Sequence, residues 1–88
     1  MYICLGGETV VSSDDIIAVL DMERVTANKD TVRFLNVAEE EGFIRPTTDD
    51  IPKSFVVAER GKRSSIYLSP LRPVTICERL SQGKARKG

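Results

Sequence analysis

Three basic side chains crowd into the segment "VVAERGKRSSIYLS", residues 56–69. Arg60, Lys62 and Arg63 surround Gly61, and apolar runs flank them on both sides. Two such runs joined by a few residues that include glycine predict a β-hairpin, with the basic residues at its turn. Exposed turns often carry such residues for solubility alone. Basic side chains gathered at one turn can also bind phosphates and release counterions, so a nucleic-acid contact is the second interpretation.

Side chains suited to catalysis are scarce. Histidine is absent, which removes the commonest general base and the commonest metal ligand. Two pairs of adjacent acids occur, at positions 14–15 and 49–50, but neighbouring side chains on a strand point to opposite faces. A turn or cap role is therefore favoured for them over a cation site. There is no P-loop, and no base is present to activate the serines. We therefore expect a protein that is not an enzyme and that binds no metal, no cofactor and no small-molecule substrate.

The cysteines and the N-terminal segment bear on the cellular compartment. Cys4 and Cys77 are the only thiols, and each lies among apolar residues, which predicts reduced, buried cysteines. The opening "MYICLGG" has no basic stretch, and its apolar run is too short for a secretory signal or a membrane span. We therefore expect a cytoplasmic protein with no membrane partner.

The formal net charge of zero conceals two halves of opposite sign. Residues 1–50 contain eleven acids and four bases, a net charge of −7, and residues 51–88 contain nine bases and two acids, a net charge of +7. Such a division suits a basic face for a polyanion, or a head-to-tail contact between identical subunits.

The first half of the chain predicts three strands and a helix. Short β-prone runs around Gly6 and Gly7 predict a hairpin. The apolar run "IIAVLD" predicts a strand covered on both faces, although Ser12 or Ser13 before it also resembles a helix start. Asn28 or Thr26 can cap the helix that follows. Its predicted inward stripe is Thr31, Phe34, Leu35 and Ala38, and Gly42 is its predicted C′ residue.

Three consecutive acids end this helix. Glu39, Glu40 and Glu41 lie at the negative end of the helix dipole, where acidic side chains are unfavourable. A solvated helix end is the common explanation. A cationic partner for the three side chains, such as the basic half of a neighbouring subunit, is the other.

The second half predicts three further strands and a final helix. "FIRP" is extended, and "SFVVAE" and "SIYLS" form the hairpin described above. Pro73 suits the first position of the last helix, in which Val74, Cys77 and Leu80 are predicted to face inward and which Gly83 is predicted to end.

The sequence thus predicts one α+β domain over residues 1–82, with a mobile basic tail at 83–88. Its element order is βββαβββα: about six short strands in a small, mostly antiparallel sheet, with two helices packed on it. A chain of 88 residues builds one small core, and the supply of Val, Ile and Leu makes that core aliphatic. Its largest side chains should be Phe34, Phe43 and Phe55.

Five stretches taken together resemble a known family: "MYICLGG", "VVSSDDIIAVLD", "PKSFVV", "SIYLSP" and "RPVTICERL". Their order and spacing are similar to those of the small bacterial extracellular matrix regulators RemA and RemB, and the first, third and fourth are closer to RemB. The resemblance covers residues 1–82. It implies a LytTR-like fold, a ring-shaped homo-oligomer, and transcriptional regulation of biofilm matrix genes by arginines that contact DNA.

The arginines of the family are largely replaced in this chain. In the RemA branch an arginine pair credited with DNA contact precedes the strand that begins here at Ser54, where this sequence has Asp50 and Ile51. Another arginine precedes the third strand, where this sequence has Asp15. Acids repel phosphate, so a DNA contact would have to move to other basic residues. The DNA-binding candidates are Lys53, Arg60, Lys62 and Arg63.

Two functions fit these observations. The first is an oligomeric DNA-binding transcriptional regulator of extracellular matrix genes that contacts phosphates of double-stranded DNA through basic loops. The alternative is a non-enzymatic, ring-forming scaffold for protein interactions that has lost the DNA contacts. In that alternative, Glu39, Glu40 and Glu41 of one subunit meet the basic half of the next.

Overall fold

The structure is a computed structural model that describes the backbone of residues 1–86 and the side chains of residues 1–82. It is an α+β domain, as predicted, with six strands and three helices. The strands are β1 (Tyr2–Gly6), β2 (Thr9–Ser12), β3 (Ile16–Asp21), β4 (Ile44–Pro46), β5 (Ser54–Arg60) and β6 (Arg63–Ser69). The helices are α1 (Met22–Val25), α2 (Lys29–Glu40) and α3 (Pro73–Arg86), and a 3-10 turn (Ser13–Asp15) precedes β3.

The strands form two sheets where the sequence predicted one. β1 and β2 make an antiparallel hairpin, and the other four strands pair in the order β3-β5-β6-β4. The β3–β5 and β5–β6 pairs are antiparallel, whereas β4 runs parallel to β6. The mostly antiparallel arrangement is confirmed. The additional helix α1 is a single turn capped by the Asp21 side chain, too short to show helical periodicity in the sequence.

The four-stranded sheet has a separate apolar core on each face. On one face, the hairpin and α3 cover the sheet and bury Leu5, Val56 and Ile76 completely. On the other, α1 and α2 cover Phe55 and Ile66, with Ala38 as the buried residue of α2. The predicted aliphatic core is present, but it is split into two layers because the helices lie on opposite sides of the sheet.

Several residues predicted to be buried are exposed. Phe34 is 54% exposed and Phe43 is also exposed, so Phe55 alone of the three phenylalanines is in the core. The inward stripe of α2 is narrow, since only Ala38 is buried, with Leu35 packed beside it. In β3, Ile17 is exposed because it is the extra residue where the register with β5 shifts, and β3 is an edge strand.

The final helix begins at Pro73, as predicted, but it turns a different side inward. Ile76 is fully buried and Leu80 packs beside it, whereas Val74 and Cys77 are exposed. Both cysteines are free, as predicted, yet Cys77 is not buried and Cys4 is only half-buried. The helix also continues past Gly83 to Arg86. The predicted tail therefore overlaps helix α3, and its last two residues lie outside the described residues.

Buried polar contacts fix the β1–β2 hairpin on the sheet. The Ser69 hydroxyl donates to the carbonyl oxygen of Leu5 and accepts from the backbone N–H of Leu71 at 3.1 Å. From α3, the Arg79 Nη1 atom donates to the carbonyl oxygen of Cys4 at 2.8 Å. Gly6, with φ +141°, leaves no room for a side chain. These contacts determine where the hairpin lies over the sheet, and so the shape of the groove described below.

No helix within the described residues is long and apolar enough to cross a membrane.

Candidate nucleic-acid interface

The basic turn is the tip of the β5–β6 hairpin, as predicted. Arg60 and Arg63 are the last pair of the ladder, and Gly61 and Lys62 form a two-residue turn between them. Gly61 has a φ of +62°, and no residue other than glycine has a positive φ among those described. Glycine at the first central position is the pattern of a type II′ turn, which matches the twist of hairpin strands. All four residues are exposed, so three cationic side chains project from one end of the sheet.

Strand alternation places Arg60 and Arg63 on one face of the sheet. Because side chains two residues apart share a face, Arg60 lies on the same side as Ala58, and Arg63 on the same side as Tyr67. This is the face that the β1–β2 hairpin covers further along the strands. The two guanidinium groups therefore emerge beside the hairpin rather than on the α2 side.

A third arginine joins them from the acidic half of the chain. Arg45 lies opposite Tyr67 in the parallel β4–β6 register, which puts it on the same face. Its Nε atom donates to the Ser65 hydroxyl, with 3.4 Å between the two heavy atoms. Arg45 was not among the site residues predicted from the sequence. Its parallel pairing with β6 was not foreseen, and "FIRP" in isolation gives no sign of which strand it joins.

The three arginines line an open groove of about 550 Å³ between the β1–β2 hairpin and the sheet. We call it the arginine groove. Tyr2 and Ser12 line its hairpin side, and Ser65 and Tyr67 line its sheet side. It therefore combines guanidinium groups, hydroxyls and aromatic rings, which are the groups that bind phosphates and bases in proteins.

Two carboxylates also line the arginine groove, those of Asp15 and Glu59. The Oδ2 atom of Asp15 is 3.9 Å from the Nε atom of Arg60, which is the one ion pair found in the part of the chain that the structure describes. The Arg60 side chain is 78% exposed, and exposed pairs at this distance contribute about 0–1 kcal/mol. Asp15 thus reduces the positive charge of the groove without holding Arg60 in place.

The remaining predicted site residues lie elsewhere. Lys53 immediately precedes β5, so the length of the strand separates it from Arg60 by roughly 20–25 Å. It lines a second cavity together with Arg72 and Ile51. Glu39, Glu40 and Glu41 are exposed at the C-terminal end of α2. The structure therefore brings together Arg60, Lys62 and Arg63, adds Arg45 to them, and leaves Lys53 at the opposite end of β5.

Within residues 1–82, no group of three potential ligand side chains (His, Cys, Asp or Glu) is placed to hold a metal ion.

Comparison with known proteins identifies the class of protein. The family model for RemA-like proteins, described as extracellular matrix regulatory protein A-like, matches residues 2–80. The chain belongs to this family of extracellular matrix regulatory proteins.

At the level of individual proteins, the chain is similar to extracellular matrix regulatory protein B of Bacillus subtilis strain 168. The two are 33% identical over 79 residues, which make up 90% of this chain and 89% of that protein. The predicted membership of the RemA and RemB family, closer to RemB, is confirmed.

Proposed function

We propose that this protein is a cytoplasmic, non-enzymatic regulator of extracellular matrix genes that binds double-stranded DNA. Its phosphate contacts are Arg60, Lys62 and Arg63, with Arg45 beside them. The observation that carries the proposal is the exposure of Arg60, Lys62 and Arg63 at one end of the sheet, with the exposed Arg45 lining the same groove as the two arginines, in a chain that belongs to a family of matrix regulatory proteins.

The number of charges determines how such a contact behaves. Four phosphate contacts correspond to a slope of about −3.6 in the plot of log affinity against log salt, because each contact contributes about −0.9. A single subunit with so few contacts binds weakly at physiological salt. Several subunits that present the same turn to one duplex bind with avidity, so the proposed function includes a homo-oligomer.

The exposed surface of α2 supports self-association. Phe34 and Val37, three residues apart on the helix, are both exposed, and Glu39, Glu40 and Glu41 follow them. An apolar pair next to acidic side chains complements a neighbour that offers apolar surface next to basic side chains. We propose that this α2 surface meets a different surface of the next subunit, outside the arginine groove, in a head-to-tail contact that generates a ring when the rotation closes.

The second candidate function is the scaffold that keeps the ring without DNA contact. It is favoured by the acids that stand at the family's arginine positions, above all Asp15 beside Arg60. In this alternative, the glutamates of one subunit neutralise the basic turn of the next. DNA binding would then be absent even at low salt.

Fluorescence anisotropy of a labelled A·T-rich duplex, at two salt concentrations, separates the two functions. The DNA-binding function predicts binding that weakens steeply with salt and that is lost in the triple variant R60E/K62E/R63E, while the oligomer remains intact. R24E, an exposed charge reversal on α1, is the matched control and should retain binding. K53E tests the remaining candidate, and its effect should be smaller because Lys53 lies at the other end of β5.

Unchanged binding by the folded triple variant would contradict the proposed contact. No binding by the wild type at low salt would favour the scaffold.

A further inference from the structure

The arginine groove is built differently from a flat phosphate-contacting surface. It lies between two walls, the β1–β2 hairpin and the face of the four-stranded sheet, and its volume of about 550 Å³ is within the range of small-molecule sites. A duplex backbone can reach the exposed tips of Arg60 and Lys62 without entering this space. The groove therefore offers room for a separate, smaller ligand.

The arginines of the groove are arranged to hold an anion. The Ser65 hydroxyl orients Arg45 through Nε, and the terminal nitrogens of Arg45 make no hydrogen bond to the described part of the chain. Arg60 and Arg63 are directly opposite each other across the ladder, where like charges repel. A phosphate bound between them relieves this repulsion and can accept paired hydrogen bonds from the planar guanidinium groups.

The rest of the lining indicates what the anion is attached to. Tyr2 on the hairpin side and Tyr67 on the sheet side line the groove with aromatic rings that suit a planar group, and the hydroxyls of Ser12 and Ser65 can supply polar contacts. Three arginines against the carboxylates of Asp15 and Glu59 leave one net positive charge. This excess suits a single phosphate better than a triphosphate.

We propose that the arginine groove binds a nucleoside monophosphate, with its phosphate on Arg45, Arg60 and Arg63 and its base against the tyrosine rings. Arg60 and Arg63 are also the DNA contacts of the proposed function. The ligand and DNA therefore compete for the same two side chains, and this regulatory consequence rests on the proposed function. The ligand site itself does not depend on the proposed function.

Isothermal titration calorimetry of the full chain with AMP tests the site. We expect saturable binding that R45Q weakens at least tenfold and that Y2A weakens severalfold. R33Q is the matched control, an exposed arginine on α2 outside the groove, and should bind as the wild type does. Circular dichroism of each variant establishes that it is folded. Adenosine and inorganic phosphate, titrated separately, should each bind at least tenfold more weakly than AMP.

Competition then tests the regulatory consequence. AMP should lower the affinity for the labelled duplex in the anisotropy assay, and K62E should lose DNA affinity while it retains AMP binding, because Lys62 does not line the groove.

Absence of AMP binding by a wild-type protein that binds DNA would overturn the inference and leave the proposed function standing. AMP binding by a protein that does not bind DNA would overturn the proposed function and support the ligand site. Phosphate that binds as tightly as AMP would overturn the assignment to a nucleotide. Full AMP affinity in R45Q would overturn the location.

Discussion

The Oδ2 atom of Asp15 lies 3.9 Å from the Nε atom of Arg60, and this places an acid from the 3-10 turn before β3 against the basic tip of the β5–β6 hairpin. The two residues are 45 positions apart in the sequence. The contact therefore depends on the fold, and it gives the negative half of the chain a direct effect on the most basic end of the sheet.

Removal of this acid should strengthen DNA binding. In the D15N variant, the attraction between Asp15 and Arg60 and the repulsion between Asp15 and phosphate are both lost. We expect a two- to fivefold gain in affinity at low salt, the range that corresponds to about 0.5–1 kcal/mol for one exposed charge. Anisotropy titration of the labelled duplex measures it. D30N, at the start of α2, is the control, and equal affinities for both variants and the wild type would show that Asp15 does not influence the contact.

The Ser69 hydroxyl should be important for stability. It is fully buried, and S69A leaves the carbonyl of Leu5 and the backbone N–H of Leu71 without their partner. We expect a loss of about 1–3 kcal/mol in the free energy of unfolding, measured by urea denaturation. S64A, at an exposed position of the same strand, should change it by less than about 0.5 kcal/mol. Equal stability of the two variants would mean that these hydrogen bonds contribute little.

Alanine should be tolerated less well at Gly6 than at Gly61. A Cβ atom at Gly6 would come within 2.7 Å of the Thr47 Oγ1 atom and 2.9 Å of the Pro70 Cδ atom. At Gly61, a Cβ atom meets nothing within 4 Å, so only the cost of positive φ remains, about 1–2 kcal/mol. The midpoint of urea denaturation should therefore fall further for G6A than for G61A. The reverse order would show that Thr47 and Pro70 move aside at little cost.

The exposed pair on α2 should control assembly. F34S/V37S removes apolar surface that is not part of the core of a single subunit. We expect a smaller oligomer by light scattering coupled to gel filtration, with little change in the secondary structure of the subunit. I51S is the control, because Ile51 is 86% exposed and lies outside α2. An unchanged mass for F34S/V37S would place the subunit contact elsewhere.

The strands could be predicted from the sequence because their signals are local. Gly6 with Gly7, and Gly61 with its neighbours, mark two hairpins by turn chemistry alone, and both are present. Asn28 caps α2 and Gly42 follows its end with φ +80°, so the helix boundaries were also predictable.

The inward faces of the helices were harder to predict from the sequence. In α2 and α3, apolar residues occur on more than one side, so spacing does not determine which side packs on the sheet. Phe34 and Val74 were therefore predicted to face inward although they are exposed, and Ile76 is buried instead. The arginine groove was the least predictable feature, because it depends on contacts between distant parts of the chain. These are the parallel pairing of β4 with β6 and the position of the separate β1–β2 hairpin over the sheet. Such long-range contacts leave no periodic trace in the sequence.

Strand β4 has only three residues, and its parallel register has consequences for variation among related chains. A shift of one residue would turn Arg45 to the α2 side of the sheet, since successive side chains on a strand alternate. Insertions in the 47–53 connection leave that register untouched, because they fall after β4 and before β5. A relative with a longer connection can therefore keep the groove. A single deletion between Gly42 and Ile44 would instead turn Arg45 out of the groove, although every arginine is still present in the sequence.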